Sequence, residues 1–385
     1  MSAYFTHFAW TVSPYSAKTR AYLTFKRIPF TEVAPSAWTL YRDIQKAVGA
    51  AIMPTVLTPE GRWMQDSTEI IDALEERFPK VSVHPSTPKQ RIAALLLELH
   101  ADEWLPSVAL HYRWNRHENR DFALREFGSA AFPGLPPALS RVLVRPVASK
   151  MAGYRAVVGV THETIPGFER FTASLLAQLE LHLRAYPFLF GTRPSVADFA
   201  LYGPLWAHLY RDPGSTYLFR DTPHIVAWFE RLMSPLGRDG AFLPDDEVPA
   251  TLEPVLATLF AEQMPFVMAL MDAIDVWCDA HPEATRVPRA LGDHAFTVGG
   301  SSGRRRLLTY TQWMAQRPLA AYATLSATDR PAVDAWLRRL GGDAARDAIA
   351  RTVRHPLERH AFKLRLATRT PALASALTAG EPAAR

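Results

Sequence analysis

Ala51-Ile52-Met53-Pro54-Thr55-Val56-Leu57-Thr58, followed after Pro59-Glu60 by Gly61-Arg62-Trp63-Met64-Gln65-Asp66-Ser67, is the stretch on which the fold turns. Residues 55–58 form a β-branched, apolar run that reads as a strand. Pro59-Glu60-Gly61 reads as a turn and residues 62–65 as a returning strand. Pro54 stands at the head of the first strand, where no ladder donor is needed. A cis peptide before it would leave the N–H and C=O of Met53 free to pair with an extended peptide. Asp66-Ser67 then opens an amphipathic helix over residues 68–78, with Ile70, Ile71, Leu74 and Phe78 on one stripe. The start of that helix offers free N–H groups and positive dipole charge to a carboxylate. A clamp for peptide backbone and a clamp for a carboxylate thus lie side by side.

Upstream, residues 3–10 alternate and are rich in aromatics, a first strand. Thr11-Val12-Ser13-Pro14-Tyr15-Ser16 leads into a helix through Arg27. Ser13 is a good N-cap and Pro14 fits the first helical position. Residues 28–33 read as a second strand and residues 40–48 as a short helix. The order is βαβ and then αββα.

This order and these motifs resemble the thioredoxin-like, glutathione-binding half of the glutathione transferase superfamily. The resemblance gives Met53, before Pro54, the cysteinyl backbone of glutathione, and gives Asp66 and Ser67 its γ-glutamyl end. Ser13 falls where the family places its activating residue. Members with Cys there perform thiol–disulfide chemistry, and those with Ser activate the glutathione thiol. The chemical need is plain, since a thiol with a pKa near 8.5 is only about 3% ionised at neutral pH. Lowering that pKa by two units requires about 2.7 kcal/mol, which a hydroxyl donor and a helix N-terminus can supply. Tyr15 and Ser16 are rival donors, and Ser13 as a simple helix cap is the bland alternative. Lys46, with Gln45, could reach the glycine carboxylate, as could Arg62; a solvated helix face is the plainer reading of Lys46.

Composition narrows the classes. The 385 residues suggest two or three domains, and 48% hydrophobic with 21% charged residues suits a chain that buries a real core. A single cysteine, Cys278, rules out an intramolecular disulfide and a cysteine-rich zinc site. The 13 histidines form no H-x-x-x-H or H-E-x-x-H pair, so no metal is expected. No secretory signal and no unbroken run of about 18 apolar residues is visible, so neither secretion nor a membrane span is expected, and a cytoplasmic place is. A net charge of +5, mostly arginine, is weak ground for nucleic acid, which is not expected as a partner.

Beyond a linker at residues 80–88, helical period dominates. Residues 89–110 carry Ile92, Leu95, Leu96, Leu99, Trp104 and Leu105 on one face, with Pro106 as a kink. Residues 120–160, with their prolines and glycines, read as an irregular insertion. Ser195-Val196-Ala197-Asp198 is an acidic capping box before an apolar helix, and it resembles the folding motif of the transferase helical domain. The resemblance covers residues 1–238. The rest reads as a helical extension, with helices over 253–281, 304–317, 318–326, 330–340 and 343–366 and a small, polar tail. Val298-Gly299-Gly300-Ser301-Ser302-Gly303 before Arg304-Arg305-Arg306 reads as a turn ahead of a basic helix rather than a phosphate loop.

The expected architecture is α+β and mainly helical. It has a thioredoxin-like βαβαββα domain at residues 1–80, an all-α transferase C-terminal domain at 88–238, and a helical extension at 239–385. The resemblance implies a glutathione transferase of the serine type, with glutathione as co-substrate. It would act as a homodimer on a small hydrophobic electrophile that enters over Trp10, Tyr15 and Trp104. Isomerisation, dehalogenation and ether cleavage belong to the same frame. The other class is a non-catalytic binding or scaffold protein of this fold, as in metaxin-like relatives.

Overall fold

The structure, a computed structural model, describes residues 4–234 and 239–367. Phe5–Phe8 (β1) leads through Pro14–Phe25 (α1) to Phe30–Val33 (β2). Ala37–Thr39 (α2) continues through a π-helical turn into Gln45–Val48 (α3), so the short helix starts slightly before the expected position. Thr55–Leu57 (β3), Trp63–Gln65 (β4) and Ser67–Arg77 (α4) complete the domain. The sheet order is β2-β1-β3-β4, with β1 and β2 parallel and the other pairs antiparallel. Phe8 pairs with Thr55 and Thr55 with Gln65, so the end of β1, the start of β3 and the end of β4 share one edge. Ser13, Pro54 and Asp66 lie just past those three ends. Strand direction alone therefore gathers them.

The helical part comprises Pro88–Glu103 (α5), Leu105–Asn115 (α6), His117–Ala131 (α7), Pro137–Val157 (α8), Ile165–Ala185 (α9), Val196–Pro204 (α10) and Pro223–Met233 (α11). The insertion is not irregular, as expected, but a helical hairpin of α7 and α8. Ala123, Phe127 and Ala131 on α7 meet Val144 and Ala148 on α8, all at helical spacing, and they pack with Trp10 and Ile44 of the first domain. Pro133 and Pro136 fall in the turn and Pro137 at the first position of α8, where no donor is lost, while Pro146 lies inside the helix and removes one of its bonds. Helix α10 holds α1 in place by close approach: a Cβ at Gly203 would stand 2.6 Å from the Pro14 carbonyl oxygen. A buried lysine ties α1 to α5. Lys18 Nζ donates to Glu98 at 2.8 Å, Asp102 at 2.6 Å and Thr68 at 3.1 Å.

The extension runs Glu253–Thr258 (α12), Met264–Ala280 (α13), Ala290–Val298 (β5), Ser301–Leu308 (β6), Tyr310–Ala323 (α14), Arg330–Ala350 (α15), Leu357–His360 (β7) and Lys363–Leu366 (β8). It is mainly helical but carries two hairpins where helices were expected. Gly299 and Gly300, at φ 51 and 77, form the two-residue turn of the first hairpin. The expected helix from Arg304 starts only at Tyr310, and the one over 343–366 gives way to β7 and β8. Continuous helix 253–280 is the one among the described residues long and apolar enough to cross a membrane, with a mean hydropathy of 1.4 over its best window. The sequence places a helix over 253–281 there, in agreement with this element. Its Leu259, Met264, Val267, Leu270 and Ile274 are buried in the same core cluster as Val56 of the sheet, Leu97 of α5 and Trp336 of α15. The tail from residue 368 lies outside the described residues.

Candidate active site

Ser13 sits at the N-cap of α1, with Pro14 at the first helical position, as its sequence demands. Its Oγ accepts the Ser16 N–H at 3.2 Å, and among the described residues its own hydroxyl proton meets no acceptor. The side chain is half-buried. The rivals differ. Tyr15 donates its hydroxyl to the Asp102 carbonyl at 3.0 Å, and burial, reinforced by Glu103 and Asp102, pushes the phenol well above its ordinary range. Ser16 is completely buried, and among the described residues its Oγ has no partner.

The Met53–Pro54 peptide is cis. Met53 is half-buried, and among the described residues its N–H and C=O form no hydrogen bond. Asp66 is the N-cap of α4, and its Oδ1 accepts the N–H groups of Thr68 at 3.0 Å and Glu69 at 3.4 Å. Its φ of 82 places a non-glycine residue in a sparsely populated region, the kind of local strain that gathers at ligand clamps. Ser67 is 5% exposed. Ser13, Met53, Pro54, Asp66 and Ser67 thus meet at one edge of the sheet. Lys46 does not join them by any contact; it stands exposed on α3, as does Arg62 on its hairpin.

Sequence reading missed what covers this edge. Tyr310, at the start of α14, donates its hydroxyl to Asp66 Oδ2. Arg359, from β7, has Nη1 at 3.5 Å from the same oxygen and 2.7 Å from Glu69 Oε2, and its Nη2 donates to Gln65 Oε1. The expected electrophile wall is covered as well. Trp10 donates to the Pro35 carbonyl at 2.8 Å and packs on Phe127 of the insertion. Trp104 is 1% exposed, and the guanidinium of Arg305, on β6, lies 4.7 Å from its ring centroid. Thr311 donates to Glu103 at 2.5 Å, and burial pushes the Glu103 carboxyl up to about 8. Two surface cavities of about 470 and 480 Å³ border α4, and neither is lined by Ser13, Met53 or Asp66.

Residues 8–86 match the family described as Glutathione S-transferase, N-terminal domain, and residues 169–235 match Glutathione S-transferase, C-terminal domain. Residues beyond 235 lie outside both matches. No curated protein matches the chain. Among solved structures, a glutathione S-transferase from Rhodospirillum rubrum F11 is 17% identical, with a TM-score of 0.39, over 66% of this chain and 91% of its own. One from Methylobacterium radiotolerans, in complex with glutathione sulfonate, is 19% identical with a TM-score of 0.40, over 60% and 90%. The beta-etherase LigF from Sphingobium sp. strain SYK-6 is 21% identical with a TM-score of 0.39, over 59% and 94%.

Proposed function

Through residues 8–86 and 169–235 the chain belongs to the glutathione S-transferase superfamily, and we propose that it activates the thiol of glutathione for attack on a small electrophile. The observation that carries this reading is the uncommitted hydroxyl of Ser13, half-buried at the start of α1 and on the same edge as Met53-Pro54 and Asp66-Ser67. In this reading the cysteinyl backbone pairs with Met53, beside Pro54. The γ-glutamyl carboxylate meets Ser67 and the first N–H groups of α4, and its ammonium meets Asp66. The sulfur then lies at Ser13. A hydrogen bond to a charged acceptor contributes about 1.5–3 kcal/mol and a helix N-terminus about 0.3–1 kcal/mol. Their sum matches the roughly 2.7 kcal/mol that two pKa units require. The thiol proton passes to solvent, a C–S bond forms at the electrophilic carbon, and the leaving group departs with its electron pair.

Asp66 enters this scheme already partnered. The incoming ammonium exchanges with a guanidinium and a phenol, so that contact adds little net affinity, and Met53 and Ser67 carry most of the binding. Ultraviolet titration of bound thiolate tests the reading, with Ser13→Ala against Ser16→Ala. A raised thiol pKa in Ser13→Ala alone supports it. A shift in Ser16→Ala alone moves the role to Ser16.

The occupied Asp66 carboxylate favours a second reading, a non-catalytic binding or scaffold protein of this fold, metaxin-like, in which the extension has taken over the clamp. Retention on immobilised glutathione separates the two. A wild type that is not retained and forms no bound thiolate removes the enzyme reading.

A further inference from the structure

Three arginines are buried among the described residues: Arg20, Arg113 and Arg305. Arg20 reaches Glu32 at 2.6 Å, and Arg113 grips Asp212 through two bonds of 2.7 Å. Arg305 has no such partner. Among the described residues its side chain makes one hydrogen bond, from Nη2 to the Glu103 carbonyl at 3.2 Å, while Nε and Nη1 meet no acceptor.

Strand geometry explains why it is inside. Side chains alternate along β6, so the middle member of Arg304-Arg305-Arg306 turns inward with Leu307 while its neighbours stay exposed. Arg304 and Arg306 both find Asp293, through its carbonyl and its carboxylate. Arg305 instead lies over the rings of Trp104, Phe266 and Phe296, 4.7, 4.9 and 5.9 Å from their centroids. Burial lowers its pKa to about 10, so it remains charged at neutral pH. Glu103 does not balance it there, because burial keeps that carboxyl largely protonated. A desolvated guanidinium with two unpartnered nitrogens is unfavourable as it stands.

Its position points to the reaction. Tyr15, two residues after Ser13, donates to the carbonyl of Asp102, and Arg305 donates to the carbonyl of the next residue, Glu103. Arg305 therefore lies at the end of α5, next to the phenol that follows Ser13 on α1.

We propose that Arg305 is the anion-binding residue of the second-substrate site, and that this substrate is a monocarboxylate with an apolar, aromatic body. A single guanidinium matches a single negative charge, and Glu103, whose carbonyl it touches, is largely protonated and adds no repulsion. Trp104, Phe266 and Phe296 back the guanidinium, and the apolar surroundings they create favour an apolar body on the acid. The assignment of this acid as the electrophile rests on the proposed thiol site at Ser13; the anion site itself does not.

The test uses the full chain, benzoate as probe, and benzyl alcohol and inorganic phosphate as controls. Calorimetry is expected to show benzoate binding, weakened about tenfold or more in Arg305→Met and less in Arg305→Lys. Because Arg305→Met could disturb folding, nitrogen NMR of the wild-type Arg305 Nε is the second measurement. A shift of that signal with benzoate, and none with benzyl alcohol, supports the site. A signal unmoved by saturating benzoate, or moved by phosphate alone, overturns it. Turnover of glutathione with 4-chloro-3-nitrobenzoate against 1-chloro-2,4-dinitrobenzene then reads the substrate class: sulfur displaces chloride in both, and Arg305→Lys should lower kcat/KM for the carboxylate alone. Benzoate binding without glutathione retention removes the transferase reading and leaves the anion site. Glutathione retention without benzoate binding does the reverse.

Discussion

Two helix starts in this protein use the same residue types to opposite ends. At α10, Asp198 is filled: Oδ1 accepts Leu189 N–H and Trp228 Nε1–H at 3.0 Å, and Oδ2 accepts the Ser195 N–H and hydroxyl at 2.8 Å. Every one of those donors belongs to the helical domain. At the sheet edge, Asp66 uses one oxygen for its own helix and leaves the other to Tyr310 and Arg359, while the Ser13 hydroxyl retains a free proton. A carboxylate whose capacity is used up locally is a folding device. One whose second oxygen is held by distant groups can exchange partners.

The largest effect is expected where capacity is full. Asp198→Ala strands several buried donors and should lower stability by about 3–5 kcal/mol at pH 5, read by denaturant unfolding. Burial pushes Asp198 up to about 6, above the ordinary ~3.9. Its contribution is therefore whole below pH ~4 and falls as pH rises through about 6, so the gap to the variant should narrow by pH 7. A loss under 1 kcal/mol at pH 5 would erase the contrast. Ser13→Ala comes next, with kcat lower by about 10²–10³ while glutathione affinity is nearly unchanged. Calorimetry and steady-state rates check it, and an unchanged rate makes Ser13 a cap like any other.

Asp66→Ala and Ser67→Ala should each weaken glutathione binding, Ser67→Ala by about tenfold and Asp66→Ala less, because Asp66 is already partnered. The reverse order would mean that Asp66 is free in solution. The smallest effect belongs to Tyr310→Phe and Arg359→Met, which relieve Asp66 of its internal partners. They should tighten glutathione binding by a few-fold, under about 1 kcal/mol, with a small fall in melting temperature. Weaker binding in both would make the extension part of the clamp rather than its competitor.

The legible part of this molecule is the part written in short range. Pro54, the Asp66-Ser67 cap, the Ser13-Pro14 start and the Ser195/Asp198 box each declare themselves within a few residues, through backbone restrictions that neighbours do not alter. The first hairpin of the extension does not. Gly292 and His294 weaken β5, and three consecutive arginines are good helix formers, so local preference favours a helix. Packing of Phe296, Val298 and Leu307 in the core decides for strands instead. Prolines misled in the insertion for the opposite reason: Pro137 starts a helix rather than interrupting one. Nothing in sequence spacing announces that Tyr310 and Arg359 reach Asp66 and Gln65, because such pairing has no period.

That long-range pairing has a consequence in time. Asp66 waits on Tyr310, 244 residues downstream, and Gln65 on Arg359, 294 residues downstream. At about 5–20 residues per second, the first domain emerges from the ribosome roughly 15–60 s before its last partner is made. During that interval the newly made domain presents the Asp66 carboxylate uncovered. We predict that ribosome-bound chains arrested near residue 300 are held by glutathione resin more strongly than the finished protein, and equal retention would show that completing the chain changes nothing at the clamp. The history of synthesis would then make the nascent chain, for under a minute, a more open binder than the molecule it becomes.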